Sequence, residues 1–282
     1  MRFVLTALLW LLTTVLLAVA VPAVWAQQKL VSEDGYAGLA ADAARDPGLQ
    51  QSMADELTGQ ITTLAADRGY DLNPALVGQV TAAYTGNAGF PGQFAAANRI
   101  AHRWMFSDDI QPSGQGDQWL IDIAPMLADE SLRATFGNLD LDVPETLLVP
   151  VTAPSPELQP GRLRTVATWG PWLSAGAAVL TAAFALLTFA GARQRGKGLA
   201  ALGVSALLVG AAGWAGLEVA DRHIDRALTH AEGNFRQIAE VMVGTAEDSL
   251  HHWLNLTLIA GAGLVAVGVV ASLLGGLRHR PE

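Results

Sequence analysis

The chain has 282 residues, 51% of them hydrophobic and 15% charged, with a mean hydropathy of +0.31 and a net charge of −9. This composition suits one water-soluble domain joined to several membrane spans. The absence of cysteine excludes disulfides, thiolate metal sites and a cysteine nucleophile, and the acidic balance argues against nucleic acid, whose binding rests on neutralising phosphates with Lys and Arg.

In chain order, the first element is a run at 3–25 without an ionisable residue, long enough to cross a hydrocarbon layer about 30 Å thick. Val24, Trp25 and Ala26 before Gln27 also read as a leader-peptidase site. The run is longer than a usual leader and one basic residue precedes it, so a retained anchor is the expected outcome.

A polar stretch at 26–168 follows, with 18 acidic and 8 basic residues. Asp46 before Pro47 starts a helix with Leu49, Met53, Leu57, Ile61 and Leu64 on one face, and Gly69 stops it. Asn73 before Pro74 starts another, with Leu76, Val77, Val80 and Tyr84, stopped by Gly86. A third is expected from about Gly92 to Met105. Short β-rich runs at 119–123 and 146–151 are expected to pair around a helix at 125–136, and the proline-rich 153–161 reads as a linker.

Three more apolar runs, at 172–190, 199–217 and 253–277, carry no ionisable residue. Their apolar residues surround the helix rather than forming one stripe, as in a membrane span. Between the last two, Val219, Ile224, Leu228, Phe235, Ile238 and Val241 make a stripe expected to bury against the larger domain. Gly233 and Asn234 should break this helical hairpin at 218–252. Thr245 to Asp248 resembles a capping box restarting a helix.

The basic residues are 15 Arg and 2 Lys, which with abundant Ala and Gly fits a high-GC bacterial coding bias. Arg2, the basic loop at 191–198 with Arg193, Arg195 and Lys197, and the tail at 278–282 with Arg278 and Arg280 fall on one side of four spans. The positive-inside rule makes that side cytoplasmic and places 26–168 and 218–252 outside a bacterial cell membrane. Trp25, Trp169, Trp172, Trp214 and Trp253 lie near span ends, where headgroups favour amphipathic rings. Spans without Asp, Glu, His, Lys or Arg lack the groups that make ion and proton pathways. Small residues at four-residue spacing, Ala206 with Gly210, Ala212 with Gly216 and Ala262 with Ala266, instead suit close helix packing.

Candidate chemistry centres on Asn98, Arg99, His102 and Arg103, inside an otherwise Ala-rich helix. Asn98 and His102 share a face at i, i+4, and Asp122 on the first strand would complete a base-orienting set. Yet no serine lies in a nucleophile-elbow pattern. A polar group satisfied within the fold, anchoring its helix to the strand bearing Asp122, explains the same residues. Asp221, His223, Asp225 and His230, and the adjacent His251 and His252, are lesser metal candidates. The plainer account makes them solvated or interfacial side chains.

Ala97, Asn98, Arg99, Ile100, Ala101 and His102, then Trp119 to Leu127 (WLIDIAPML), then Leu147 to Val151 (LLVPV) resemble stretches of a group of actinobacterial integral membrane proteins. These proteins are mostly uncharacterised. Their outward helical domain carries an ANRxAH-like motif. The resemblance implies a cell-envelope location and supplies no reaction. The expectation is a mainly α, four-span membrane protein with an extracytoplasmic helical domain and a small β pair. It would be non-enzymatic and without a cofactor, binding or scaffolding a membrane or envelope protein, as an accessory subunit of a larger complex such as a respiratory assembly. The rival is an envelope enzyme or ligand receptor with its site around His102 and Asp122. A transporter is a third reading, which would need a polar route through the spans.

Overall fold

The computed structural model describes residues 2–106, 118–122, 148–152, 163–192, 194–228 and 233–277. In chain order these form α1 (Arg2–Ala26), α2 (Glu33–Ala43), α3 (Pro47–Asp67), α4 (Pro74–Thr85), α5 (Phe90–Phe106), β1 (Gln118–Asp122), β2 (Leu148–Thr152), α6 (Arg164–Gly191), α7 (Arg195–Leu228) and α8 (Asn234–Leu277). A short π-helical turn, Gln27–Val31, continues α1. The chain divides into two units. One holds Met1–Leu30, Thr168–Asp225 and Glu247–Glu282, and the other Val31–Ala167 and Arg226–Ala246. The helix expected at 125–136 and the linker at 153–161 lie outside the described residues.

Four helices are long and apolar enough to cross a membrane, over Val4–Val31, Arg164–Gly191, Arg195–His223 and Asn234–Leu274. They contain the runs at 172–190 and 199–217 and nearly all of those at 3–25 and 253–277, and each extends beyond its run at one end or both. Both expected limits at Trp172 and Trp253 lie inside helices. Pro171 does not end α6; the Ser174 hydroxyl donates to the Pro171 carbonyl at 3.1 Å.

Within this first unit, side chains facing outward are large and apolar. Leu5, Leu8, Val15, Leu173, Val179, Leu186, Ile259, Val267 and Leu273 are all exposed. Most buried positions are small or hydroxylated, among them Thr13, Ala20, Ser174, Thr188, Ser205 and Ala206, with Trp25, Val209 and Leu254 the larger exceptions. Hydroxyls tie the helices together. Thr14 Oγ1 lies 2.8 Å from Ser205 Oγ, and Thr13 Oγ1 lies 3.2 Å from Thr188 Oγ1. Each also lies within hydrogen-bond distance of a carbonyl on its own helix, so in each pair one hydroxyl can donate across to its partner's oxygen while that partner donates along its helix. Trp10 adds an indole N–H donated to the Ala201 carbonyl at 2.8 Å.

The α7–α8 seam is built on glycine. A methyl group added at Gly196 would stand 2.5 Å from Ser272 N, at Gly203 2.6 Å from Gly261 O, and at Gly268 2.5 Å from Ala200 N. At Gly210 the neighbour is Leu258, at 2.6 Å. Gly196, Gly203 and Gly210 recur every seven residues, as do Gly261 and Gly268 on the facing helix. That period keeps one face of each helix on its partner. The four-residue pairs expected from the sequence are corrected here. Ala206 and Gly210 do lie in the seam, but Gly216 faces open space and Ala262 and Ala266 are exposed. Two antiparallel helices meet along a heptad face, and a four-residue pair belongs to it only where it coincides with that face.

The second unit packs like a water-soluble domain. Ser32 caps α2, its Oγ accepting from the Gly35 N–H at 3.3 Å, and Glu33 and Asp34 complement the helix dipole in the first turn. Asp46 caps α3 through the N–H groups of Gly48 and Leu49. At its other end Gly69, at φ +80°, closes a Schellman turn: Tyr70 N–H donates to Ala65 O and Gly69 N–H to Ala66 O, both at 2.9 Å. Asn73 caps α4 through Ala75 N–H at 2.9 Å. Thr58 and Thr81 join α3 to α4 with their hydroxyls 2.7 Å apart.

The core of this unit is Ala40, Ala43, Ala44, Leu49, Tyr84, Phe90 and Phe94, with Met53, Leu57, Val80, Ile238, Val241 and Met242 packed around it. Phe90 meets the Tyr84 ring edge-on at 5.6 Å, and the Tyr84 hydroxyl donates to Gln93. β1 and β2 run antiparallel with Gln118 opposite Thr152 and Asp122 opposite Leu148.

Two expectations between 218 and 252 change. Gly233 adopts φ +65° immediately before α8, which fits the expected break. The capping box at Thr245, however, starts nothing, because α8 runs unbroken from Asn234 to Leu277. Thr245 Oγ1 instead donates back to the Val241 carbonyl at 2.8 Å, the bond a threonine makes inside a helix. The apolar stripe is also only partly buried. Ile238 and Val241 reach the core, whereas Val219 and Phe235 are 57% and 52% exposed. Phe235 lies in the first turn of α8, where its side chain leans toward the helix N-terminus.

Candidate functional site

Helix α5 carries the residues that chemistry would need. Its apolar face runs through Phe90, Phe94 and Ala95, all buried, and His102 continues that face two turns further on. The helix packs antiparallel on α2: Phe90 and Phe94 meet Ala40, Ala43 and Ala44, while 99–103 meets the start of α2. The alanines of α2 let the helices approach closely.

His102 is 4% exposed. Its ring stacks on Phe106 at 4.1 Å and 15°, and Tyr36 of α2 lies on another side at 5.3 Å. Burial raises the Tyr36 hydroxyl above its ordinary value of 10.0, so this phenol stays neutral at physiological pH. Asn98, one turn before His102, donates its side-chain N–H to the Phe94 carbonyl at 2.9 Å. Arg99 reaches Asp34 at 3.1 Å and Arg103 reaches Glu33 at 3.4 Å. These two ion pairs lie on the exposed rim of the seam, where each is worth about 0.2–1 kcal/mol.

The group therefore acts as a helix clamp. An aromatic and imidazole stack fills the seam and two arginines bridge its edge to the carboxylates of the α2 first turn. A general base has to reach a proton on a substrate, and this imidazole is 4% exposed with the Phe106 and Tyr36 rings beside it. The partners that matter, Glu33, Asp34 and Tyr36, come from a helix that the sequence reading did not anticipate. Ser32 followed by Glu33 and Asp34 was the available signal. The expected contact between His102 and Asp122 lies outside what is described: β1 places Asp122 at its end, and the Asp122 side chain is not among the described residues.

The other histidines are dispersed. His223 on α7 is exposed, its Nδ1 3.0 Å from the Val219 carbonyl. His230 and the Asp225 side chain lie outside the described residues. His251 stacks on Trp214 at 3.9 Å and 22°, and the Trp214 N–H donates to Asn255 at 3.2 Å. His252, its neighbour, is exposed. Among the described residues no three His, Asp or Glu side chains group as metal ligands would.

No family model, no curated protein and no solved structure matches this chain.

Proposed function

We propose that this chain is a non-enzymatic integral membrane protein of the cell envelope. Its 26–168 domain would face out of a bacterial cytoplasmic membrane, with both termini inside, and would bind or scaffold a protein partner. The role that suits it is an accessory subunit of a larger membrane complex, such as a respiratory assembly. The observation that carries this reading is the state of His102. It is the imidazole of the candidate set, and it is buried beside Phe106 of α5 and Tyr36 of α2. The runs 3–25, 172–190, 199–217 and 253–277 support the same reading, since they hold no ionisable residue and hydroxyls of the first three meet one another. The distribution of Arg and Lys supports the orientation, and the ANRxAH-like resemblance supports the envelope location.

The test is co-purification from native membranes in mild detergent at native expression, read by mass spectrometry. A stoichiometric membrane or envelope protein is the expected companion. Recovery of this chain alone would overturn the reading. His102→Phe, which keeps a ring in the stack, is expected to leave that recovery unchanged. An enzyme or receptor using the imidazole would lose its function in the same variant.

A further inference from the structure

We propose that α1 stays in the mature protein as a working helix of the bundle, and that the leader-like Ala26–Gln27 bond is protected from peptidase by the folded first unit. This rests on α1 being a membrane span and is independent of the partner-binding reading.

A leader peptidase acts on an extended, accessible stretch just before the cut. Here that stretch is helix. α1 runs to Ala26 and the π-helical turn carries it on to Val31 without a break. Trp25, in the middle of the leader-like motif, is 8% exposed and donates its indole N–H to Ser249 on α8 at 3.3 Å. Unwinding 24–26 for cleavage would pull that ring out of its site.

The other half of α1 is tied as firmly. Trp10 bonds the Ala201 carbonyl, Thr14 meets Ser205, and Thr13 meets Thr188. Thr13, Thr188 and Ser205 are 2%, 1% and 0% exposed. In an apolar medium these hydroxyls serve as interhelical contacts, and removing α1 would leave those of α6 and α7 facing lipid. A leader that is to be discarded needs only an apolar run. α1 has in addition polar groups matched to groups on three other helices.

The experiment uses the full chain with a C-terminal tag, taken from the membranes of its own host. Intact mass and N-terminal sequencing should give an N-terminus upstream of α1, with Ala26 still joined to Gln27. A mature form beginning at Gln27 would overturn the proposal. Because the chain has no cysteine, Thr14→Cys with Ser205→Cys offers a direct reading of the contact. Mild oxidation in intact membranes should close a disulfide and abolish maleimide labelling, and two thiols that remain fully labelled after oxidation would count against the packing. The third variant, Trp10→Leu with Thr13→Val and Thr14→Val, loosens α1 without altering the motif. A majority of its chains should then begin at Gln27. If they stay as uncut as the wild type, packing does not protect the bond and the proposal falls.

Discussion

The two units of this protein solve the packing problem with opposite chemistry. In the second unit large rings such as Phe90 and Phe94 fill the centre, and charged groups such as Arg99 and Arg103 lie at the rim. In the first unit most large apolar side chains point outward, and the centre holds mainly glycine, alanine, serine and threonine beside Trp25, Val209 and Leu254. Expulsion of water drives the former arrangement. Between apolar helices in lipid that force is missing, so close backbone approach and hydroxyl contacts take its place. The same substitution should therefore have different consequences in the two units.

The largest effect is expected at the centre of the second unit. Phe90 is 1% exposed, and Phe90→Ala should cost about 3–5 kcal/mol. Hydrogen exchange followed by mass spectrometry in detergent should show lost protection in 33–106 and unchanged protection in 199–217. Loss in both would mean that the two units are not separately stabilised.

Next comes the glycine seam. Gly203→Ala sets a methyl group 2.6 Å from the Gly261 carbonyl and should cost about 1–3 kcal/mol in thermal unfolding. Gly263 has nothing within 4 Å, so Gly263→Ala should be neutral or stabilising by up to about 1 kcal/mol. Equal responses at the two positions would break the contrast between seam and lipid face.

The hydroxyl contacts rank third. Thr13→Val with Thr188→Val should lower the stability of the first unit by about 0.6 kcal/mol, and by no more than about 1.7. Arg99→Ala is comparable or smaller, about 0.2–1 kcal/mol, and should shrink further at high salt, because Asp34 is exposed.

The last prediction vanishes at neutral pH. Burial raises the Tyr36 hydroxyl, so the folded state holds this proton more tightly than the unfolded chain. The resulting stabilisation is complete below the ordinary value of 10.0 and declines as pH rises through the higher folded value. Tyr36→Phe should remove that alkaline step from the exchange profile of 33–106. A variant with the same alkaline loss as wild type would assign the step to another group.

The spans were legible because a long apolar run is a property of the chain itself and needs no knowledge of contacts. Caps were legible for the same reason: Asp46 with Pro47, Asn73 with Pro74, and Gly69 act within a few residues. What failed depended on partners. Thr245 has the residues of a capping box, but a capping box needs a helix to begin there, and α8 is already continuous. The small-residue pairs at Ala212, Ala262 and Ala266 looked like contact faces until the facing helix selected a seven-residue period. The polar cluster at 98–103 was legible as a group of side chains on one helix. Its meaning depended on Glu33, Asp34 and Tyr36, more than sixty residues away on a short Ala- and Gly-rich helix whose pattern is faint.

The seven-residue glycine period also limits how the first unit can move. Successive glycines along α7 stand about 10.5 Å apart. A slide by a single turn would bring side chains to the places where backbone now touches backbone. Displacement of α7 against α8 is thus indexed like a toothed rack, with no rest position short of a full tooth. Sliding of α7 along α8 is therefore resisted, and the pair should travel as a single rod through a rearrangement of this unit.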